Sequence, residues 1–334
     1  MLHIWNIPKS LTGFNKEKIL MVLYGYTIGD VDINPNQAGE QVAVYRFPIS
    51  PLATTPQRVG EINTGSILNR DLEGLGTNPS TGRASAVNEA RGSGTTAIDP
   101  TVLRVNNVDQ PFAPASVSPA PTPSDLRRFG FDSGADFNSS ALYNISGNGD
   151  TDRGVVGSSL YRITTANPGT ISLVDAFGPA TTAAQRQGTQ PTNSQFADGL
   201  AIDNLNPGST RAFASDFRTS DGDGNQLYKV DLLTGQLSAP ITLRTPSGLA
   251  LNADSGLAFT NSGSQRLLAL LETGAVYEIT GYQDELAASG LGTATRVVGD
   301  GFATATLLGN VNLPSALAPS PNTINYEGFT IVNE

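Results

Sequence analysis

The feature that most constrains this chain is a four-strand unit that returns along its length. Its clearest copy is ADGLAIDNLNPGSTRAFASDFRTSDGDGNQLYKVDLLTGQLSAPITL, residues 197–243. Four strand-like runs (GLAI, RAFAS, QLYKV and APITL) are parted by the turn-rich NLNPGS, TSDGDGN and LTGQ, the pattern of hairpin-linked antiparallel strands. The third run recurs as QVAVYRF (41–47), TVLRVNN (101–107), SLYRITT (159–165), QLYKVDL (226–232) and AVYEITG (275–281). Aligned on Tyr45, Leu103, Tyr161, Tyr228 and Tyr277, the copies stand 58, 58, 67 and 49 residues apart. Self-similarity at such a period is the mark of a radial array.

The other strands of the unit recur with it. Second strands read MVLYGYTIG (21–29), RASAVNE (83–89), SALYNIS (140–146), RAFASDF (211–217) and RLLALLE (266–272). First strands read LEGLGTN (72–78), RFGFDSG (128–134), DGLAIDN (198–204), SGLAFTN (255–261) and YEGFTIV (326–332). Their glycines and small residues suit an innermost position, where backbones crowd a central axis. Outer strands are expected at RVGEI (58–62), ISLVDAF (171–177), APITL (239–243) and TATRVV (293–298). The second unit's outer strand stays unassigned, because 108–125 is rich in Pro and Ala. The first unit lacks an innermost strand, while the last one, YEGFTIV, has no strands after it. Both defects vanish if the C-terminal strand completes the N-terminal blade, which also removes open sheet edges.

The expected fold is therefore all-β, a closed β-propeller of five blades. Residues 282–325 are long for one connection, so six blades is an alternative, and a β-sandwich is another. Residues 1–20 read as an N-terminal arm and 21–334 as a single propeller domain. DELAAS (284–289) is the best helix candidate, and 107–124 and 178–196 are expected as long surface loops.

The surface is acidic, with a net charge of −10. Nucleic acid and anionic lipid call for Lys/Arg stripes that are missing here, whereas divalent cations or cationic partners fit. Only 15% of residues are charged, too few for a charge-driven disordered chain. No apolar run reaches membrane-spanning length. KEKILMVL (16–23) is too short for a signal peptide and leads straight into YGYTIG. There is no cysteine, which rules out disulfides and thiol chemistry and fits an exported protein of the periplasm, cell envelope or extracellular space. A monomer is expected.

Acids gather at one end of the repeat. The start of each first strand and the end of each second strand share a face, together with the loops between second and third strands. First strands begin with Asp71 and Glu73, with Asp198 and with Glu327; second strands end with Glu89, Asp216 and Glu272, and Asp30 follows another. Two of the loops carry oxygen donors at alternate positions: Asn148, Asp150 and Asp152, then Asp221, Asp223 and Asn225. Alternating donors around glycines can wrap Ca²⁺, although neither loop has the bidentate Glu of an EF-hand; both also read as solvated turns. Clustered carboxylates raise one another's pKa, and a bound cation or the nearby Arg91, Arg127 and Arg128 would relieve that. Blade-locking hydrogen bonds are the plainer use of the same acids.

Much chemistry is excluded. The sole histidine is His3, so a Ser-His-Asp triad and multi-His metal sites are out of reach unless the arm supplies it. No P-loop or dinucleotide fingerprint occurs. Any hydrolysis would rest on carboxylates, metal, Tyr, Lys or Arg. Tyr161, Tyr228 and Tyr277 recur at one repeat position and read as packing, and a lone Trp5 gives no ring for sugar stacking.

The pairs DLEGLGTNPSTGRASAVNE and ADGLAIDNLNPGSTRAFASDF, with the terminal NYEGFTIVNE, resemble the "EGLA…G…E" strand pairs of the esterase-like phytase family of β-propellers, over about residues 71–334. PSGLALNADSGLAFTNSGSQRLLALLETG resembles that family's "LLxLER"-like segment. The match places Glu73, Glu89, Asp198, Glu272 and Glu327 at the family's acidic positions. Thr273 stands where the family has Arg, Ser255 replaces an acid, and neither a DDPA-type segment nor a basic phosphate cluster is visible. The resemblance implies a secreted or envelope propeller that is a metal-dependent ester or phosphoester hydrolase, and the clustered acids make Ca²⁺ the expected cation. The alternative is a non-catalytic propeller that binds a protein partner as a surface assembly module.

Overall fold

The structure is a computed structural model. It describes residues 22–30, 41–63, 72–88, 102–104, 117–118, 129–130, 133–139, 141–148, 157–164, 169–174, 197, 199–206, 211–216, 226–235, 237–238, 241–248, 255–283, 301–315 and 324–334. The N-terminal arm, DELAAS, 178–196 and most of 107–124 lie outside these residues.

Blade 1 contains β1 (Leu23–Asp30), β2 (Gln41–Pro48) and β3 (Gln57–Asn63). Blade 2 has β4 (Leu72–Asn78), β5 (Arg83–Asn88) and β6 (Val102–Arg104). After the short β7 (Val117–Ser118), blade 3 follows as β8 (Ser133–Phe137), β9 (Ala141–Asn148), β10 (Gly157–Thr164) and β11 (Gly169–Leu173). Blade 4 is β12 (Gly199–Ile202), β13 (Ala212–Asp216), β14 (Gln226–Val230) and β15 (Ile241–Arg244). Blade 5 is β16 (Ser255–Phe259), β17 (Leu267–Leu271), β18 (Ala275–Thr280) and β19 (Phe302–Asn310).

The final strand, β20 (Asn325–Asn333), does not extend blade 5. It pairs antiparallel with β1, giving the order β20-β1-β2-β3. The tail thus supplies blade 1's innermost strand, as the sequence predicts. The closure is reinforced at its end: backbone bonds join Val22 and Glu334 in both directions, and the Glu334 carboxylate accepts from the Tyr26 hydroxyl and the Arg46 guanidinium.

The innermost strands form a ring in which β20 meets β4, β4 meets β8, β8 meets β12, β12 meets β16, and β16 meets β20. Direct packing of β16 on β20 leaves no place for a sixth blade. Each junction has its own apolar seam. Val44 and Val332 meet Leu75 and Ala86 between blades 1 and 2; Val87 meets Leu142 and Tyr161 between 2 and 3; Ile145 meets Leu200 and Tyr228 between 3 and 4. Phe213 meets Phe259, Leu267 and the small Ala269 between 4 and 5; Phe47 and Phe329 meet Leu268 and Val276 between 5 and 1. Because both faces of a blade are covered, central strands read as unbroken apolar runs such as LLALL of β17 rather than alternating ones. Tyr161 and Tyr228 are buried in these layers, and the half-buried Tyr277 packs against the seam between blades 4 and 5, as a packing role requires.

Two expected strands are corrected. Blade 3's innermost strand is Ser133–Phe137, not 128–134; Phe129 instead packs edge-on against Tyr161, and Gly130 turns with φ +78°. The reason is a ring of glycines. Gly74, Gly134, Gly199, Gly256 and Gly328 each stand near the start of an innermost strand, directly after Glu73, Ser133, Asp198, Ser255 and Glu327. A Cβ at Gly256 would lie 2.7 Å from the carbonyl carbon of Gly328, one at Gly328 2.7 Å from Leu75 N, and one at Gly74 3.1 Å from the carbonyl carbon of Gly134. Gly134 is thus the glycine that fits the ring, and it sets blade 3's register. The outer strand of blade 5 is Phe302–Asn310 rather than 293–298, which lie outside the described residues. β19 is fixed by two partners, antiparallel β18 and parallel β15, so it stitches blade 5 to blade 4. The unassigned region of the second unit supplies β7, which runs parallel to β11 of blade 3.

Candidate functional site

Antiparallel pairing fixes what shares the mouth of the ring. Glu73 is the second residue of β4 and Glu327 the third of β20, at the entry ends of innermost strands. Asp216 ends β13, and Glu272 lies just beyond β17 in the turn to β18. Hence blades 1, 2, 4 and 5 each bring a carboxylate-bearing residue to one rim. Blades 3 and 5 begin their innermost strands with Ser133 and Ser255.

The described acids differ in their surroundings. Glu73 is buried, and its Oε2 accepts the backbone N–H of Ser133 at 2.7 Å. It therefore ties blade 2 to blade 3. Around it Asn144 is fully enclosed: its Nδ2 donates to Ser133 Oγ (3.0 Å) and to the Gly134 carbonyl (3.1 Å), and its Oδ1 accepts from Gly130 N (3.1 Å). Asp216 is also buried, whereas Glu272 is exposed. Side chains at Glu89, Asp198, Glu327, Asp150, Asp152, Asp221, Asp223 and Asn225 lie outside the described residues, as do those of Asp30, Arg91, Arg127 and Arg128. Among the described residues no three acids stand close enough together to hold one ion.

Two buried hydroxyls near the rim lack hydrogen-bond partners among the described residues. Ser146 lies opposite Ser133 and Ser159 in one cross-strand row of blade 3. Ser215 precedes Asp216 and faces the space left by Gly199's absent side chain. An enclosed hydroxyl without a partner costs roughly 1–3 kcal/mol, so oxygen donors at this rim have unused capacity.

Two carboxylates that the sequence reading overlooked are deeply enclosed. Asp136, on β8, receives the backbone N–H of Phe137 at Oδ1 (2.8 Å) and that of Ile202 at Oδ2 (2.7 Å). Burial pushes its pKa up to about 8, against the pull of the Ile202, Phe137 and Thr77 amides. Asp203 follows β12 at the opposite rim. Its Oδ1 accepts from Leu205 N (3.0 Å) and Asn206 N (3.1 Å), and its Oδ2 takes the Asn206 and Gln265 amides and Arg211 (3.5 Å). The Asp-Asn-Leu-Asn run signals that side-chain-capped turn. Asp136 had a signal only through the glycine ring, since aligning Gly134 with Gly199 brings it into the strand.

No protein-family model matches the sequence, and no curated protein matches it. Among solved structures the chain is similar to TolB from Acinetobacter baumannii, at 11% identity and a TM-score of 0.31, over 75% of this chain and 61% of that one. It is similar to an α-L-arabinanase from Penicillium chrysogenum complexed with arabinobiose, at 10% identity and 0.45, over 94% and 93%. It is also similar to the periplasmic gluconolactonase PpgL of Pseudomonas aeruginosa, at 14% identity and 0.37, over 91% and 71%. The chain thus spans less than two thirds of the TolB chain. Likeness this distant carries no chemistry across, and the blade count rests on strand pairing alone. No helix among the described residues is long and apolar enough to cross a membrane.

Proposed function

We propose that this protein is an exported propeller whose acidic mouth holds Ca²⁺ and hydrolyses a small ester or phosphoester there. The observation that carries the reading is the delivery of Glu73, Asp216, Glu272 and Glu327 to one rim from four blades. The donor set is hard oxygen, which suits Ca²⁺, and the unpartnered hydroxyl of Ser215 beside Asp216 adds an oxygen of the same kind. Asp216 and Glu272 would hold the ion together with Asp198, Glu89 and Glu327, while Glu73 keeps blades 2 and 3 in place. A bound Ca²⁺ supplies positive charge to polarise an ester or phosphoryl oxygen. The resemblance of the strand pairs to esterase-like phytases favours that substrate class and an exported location.

A second reading is a non-catalytic module that binds a protein partner. It is favoured by the structural employment of Glu73 at the Ser133 amide. Calorimetric titration with Ca²⁺, paired with turnover of aryl acetate, aryl phosphate and phytate, separates the two. The hydrolase reading expects heat of binding, a higher melting temperature at millimolar Ca²⁺, and Ca²⁺-dependent turnover that Asp216→Asn abolishes. Binding without turnover leaves the module, and neither heat nor a melting shift overturns the cation-binding mouth.

A further inference from the structure

We propose that the seam between blades 2 and 3 binds a monovalent metal cation, Na⁺ or K⁺, through Glu73 and the hydroxyl row Ser133, Ser146 and Ser159. Ser146 on β9 stands directly across from Ser133 on β8 and from Ser159 on β10. Residues opposed in this way project from the same side of a sheet. That side is turned to blade 2, since a Cβ at Gly74 of β4 would lie 3.1 Å from Ser133 Oγ. Tyr161, two residues past Ser159, packs with Val87 of β5 in the same seam. All three serines are buried. Glu73, also buried, reaches the inner end of the row, where its Oε2 accepts the Ser133 N–H at 2.7 Å.

The rest of the repeat shows that this row is unusual. At the same level, opposite the innermost strand, blades 1, 2 and 5 place Ile28, Val87 and Leu271. Blade 3 places Ser146 there, fully enclosed, and its Oγ has no hydrogen-bond partner among the described residues. Asn144 cannot supply one. Its two amide hydrogens go to Ser133 Oγ and the Gly134 carbonyl, and its Oδ1 accepts from Gly130 N. An enclosed hydroxyl destabilises the fold unless a guest takes up its lone pairs. The donor set then selects the guest. Hard oxygens call for a hard cation. The carboxylate brings one negative charge and the hydroxyls none, so a monovalent ion balances the site, whereas a divalent one would carry excess charge into an enclosed seam. Among the described residues no three acids gather to recruit a divalent ion. The site is separate from the mouth carboxylates and does not depend on Ca²⁺ binding there.

Urea unfolding in EDTA tests this, with NaCl or KCl exchanged for choline chloride at fixed ionic strength. Above the dissociation constant of the site, each tenfold rise in Na⁺ or K⁺ should lower the unfolding equilibrium constant about tenfold. Ser146→Ala removes both the ligand and the unpartnered hydroxyl. It should therefore be at least as stable as the natural protein in choline, less stable than it in the metal salt, and indifferent to the exchange. Glu73→Gln, which keeps an acceptor for the Ser133 amide but loses the charge, should be indifferent as well. A natural protein with the same unfolding constant in choline and in either metal salt up to about 300 mM overturns the proposal, whether or not the variants fold. That is the result expected if water alone meets Ser146. A Ser146→Ala protein that keeps the natural salt response overturns it too.

Discussion

Placing one methyl group on the ring of glycines tests the closure most directly. In Gly256→Ala the new Cβ would lie 2.7 Å from the carbonyl carbon of Gly328, with the backbone nitrogen and Cβ of Phe329 closer still. These are atoms of the C-terminal strand, not the swinging end of a long side chain. Normal contact demands that β16 and β20 part by on the order of 1 Å, which forfeits much of the dispersion in the seam. Overpacking of a tight core costs about 1–3 kcal/mol. Since rigid backbone must move, about 3 kcal/mol is expected, a large part of a typical folding free energy. Gly263→Ala is the control: φ is +72° and nothing lies within 4 Å of the added atom, so only the left-handed strain of roughly 1 kcal/mol remains. Urea denaturation of both variants, followed by tyrosine fluorescence, gives the comparison. If Gly256→Ala loses no more stability than Gly263→Ala, the innermost strands do not meet as described.

Other perturbations probe other layers. Phe213 packs against Tyr282 and Phe259, with ring centroids 5.1 and 6.1 Å apart; Phe213→Ala should cost about 3–5 kcal/mol by thermal or urea unfolding. Removing residues 325–334 takes away blade 1's innermost strand, and circular dichroism should show no cooperative melt. Arg266 grips Glu278 through two bonds of 2.8 and 2.9 Å, and that hydrogen bonding holds the Glu278 carboxyl below its ordinary value despite partial burial. Its stabilisation is therefore present above the ordinary glutamate pKa and fades as pH falls through the lowered one. The pair is partly exposed, so Glu278→Gln should cost less than about 1 kcal/mol at pH 7 and should leave unfolding less sensitive to acid.

The site was legible only up to its location. Register arguments put Glu73, Asp216, Glu272 and Glu327 at one rim, because strand direction alternates with each hairpin. Whether a carboxylate is a ligand or a fastener depends on what the next blade presents to it. Glu73 meets the Ser133 amide across a junction 60 residues away in sequence, and no local pattern announces that. Asp136 was invisible for a related reason: Gly130 and Gly134 both offered an innermost register, and only contact with Gly74 distinguishes them.

By itself, the sequence determined the four-strand repeat, its hairpin direction and the return of the tail to the first blade, since these follow from local turn chemistry, apolar runs and the need to leave no edge open. Tertiary structure decided the strand choices that depend on a neighbour: Ser133–Phe137 in the third blade and Phe302–Asn310 at the rim of the fifth. Backbones meeting at the axis, and a parallel partner borrowed from an adjoining blade, are long-range facts that no window of sequence contains.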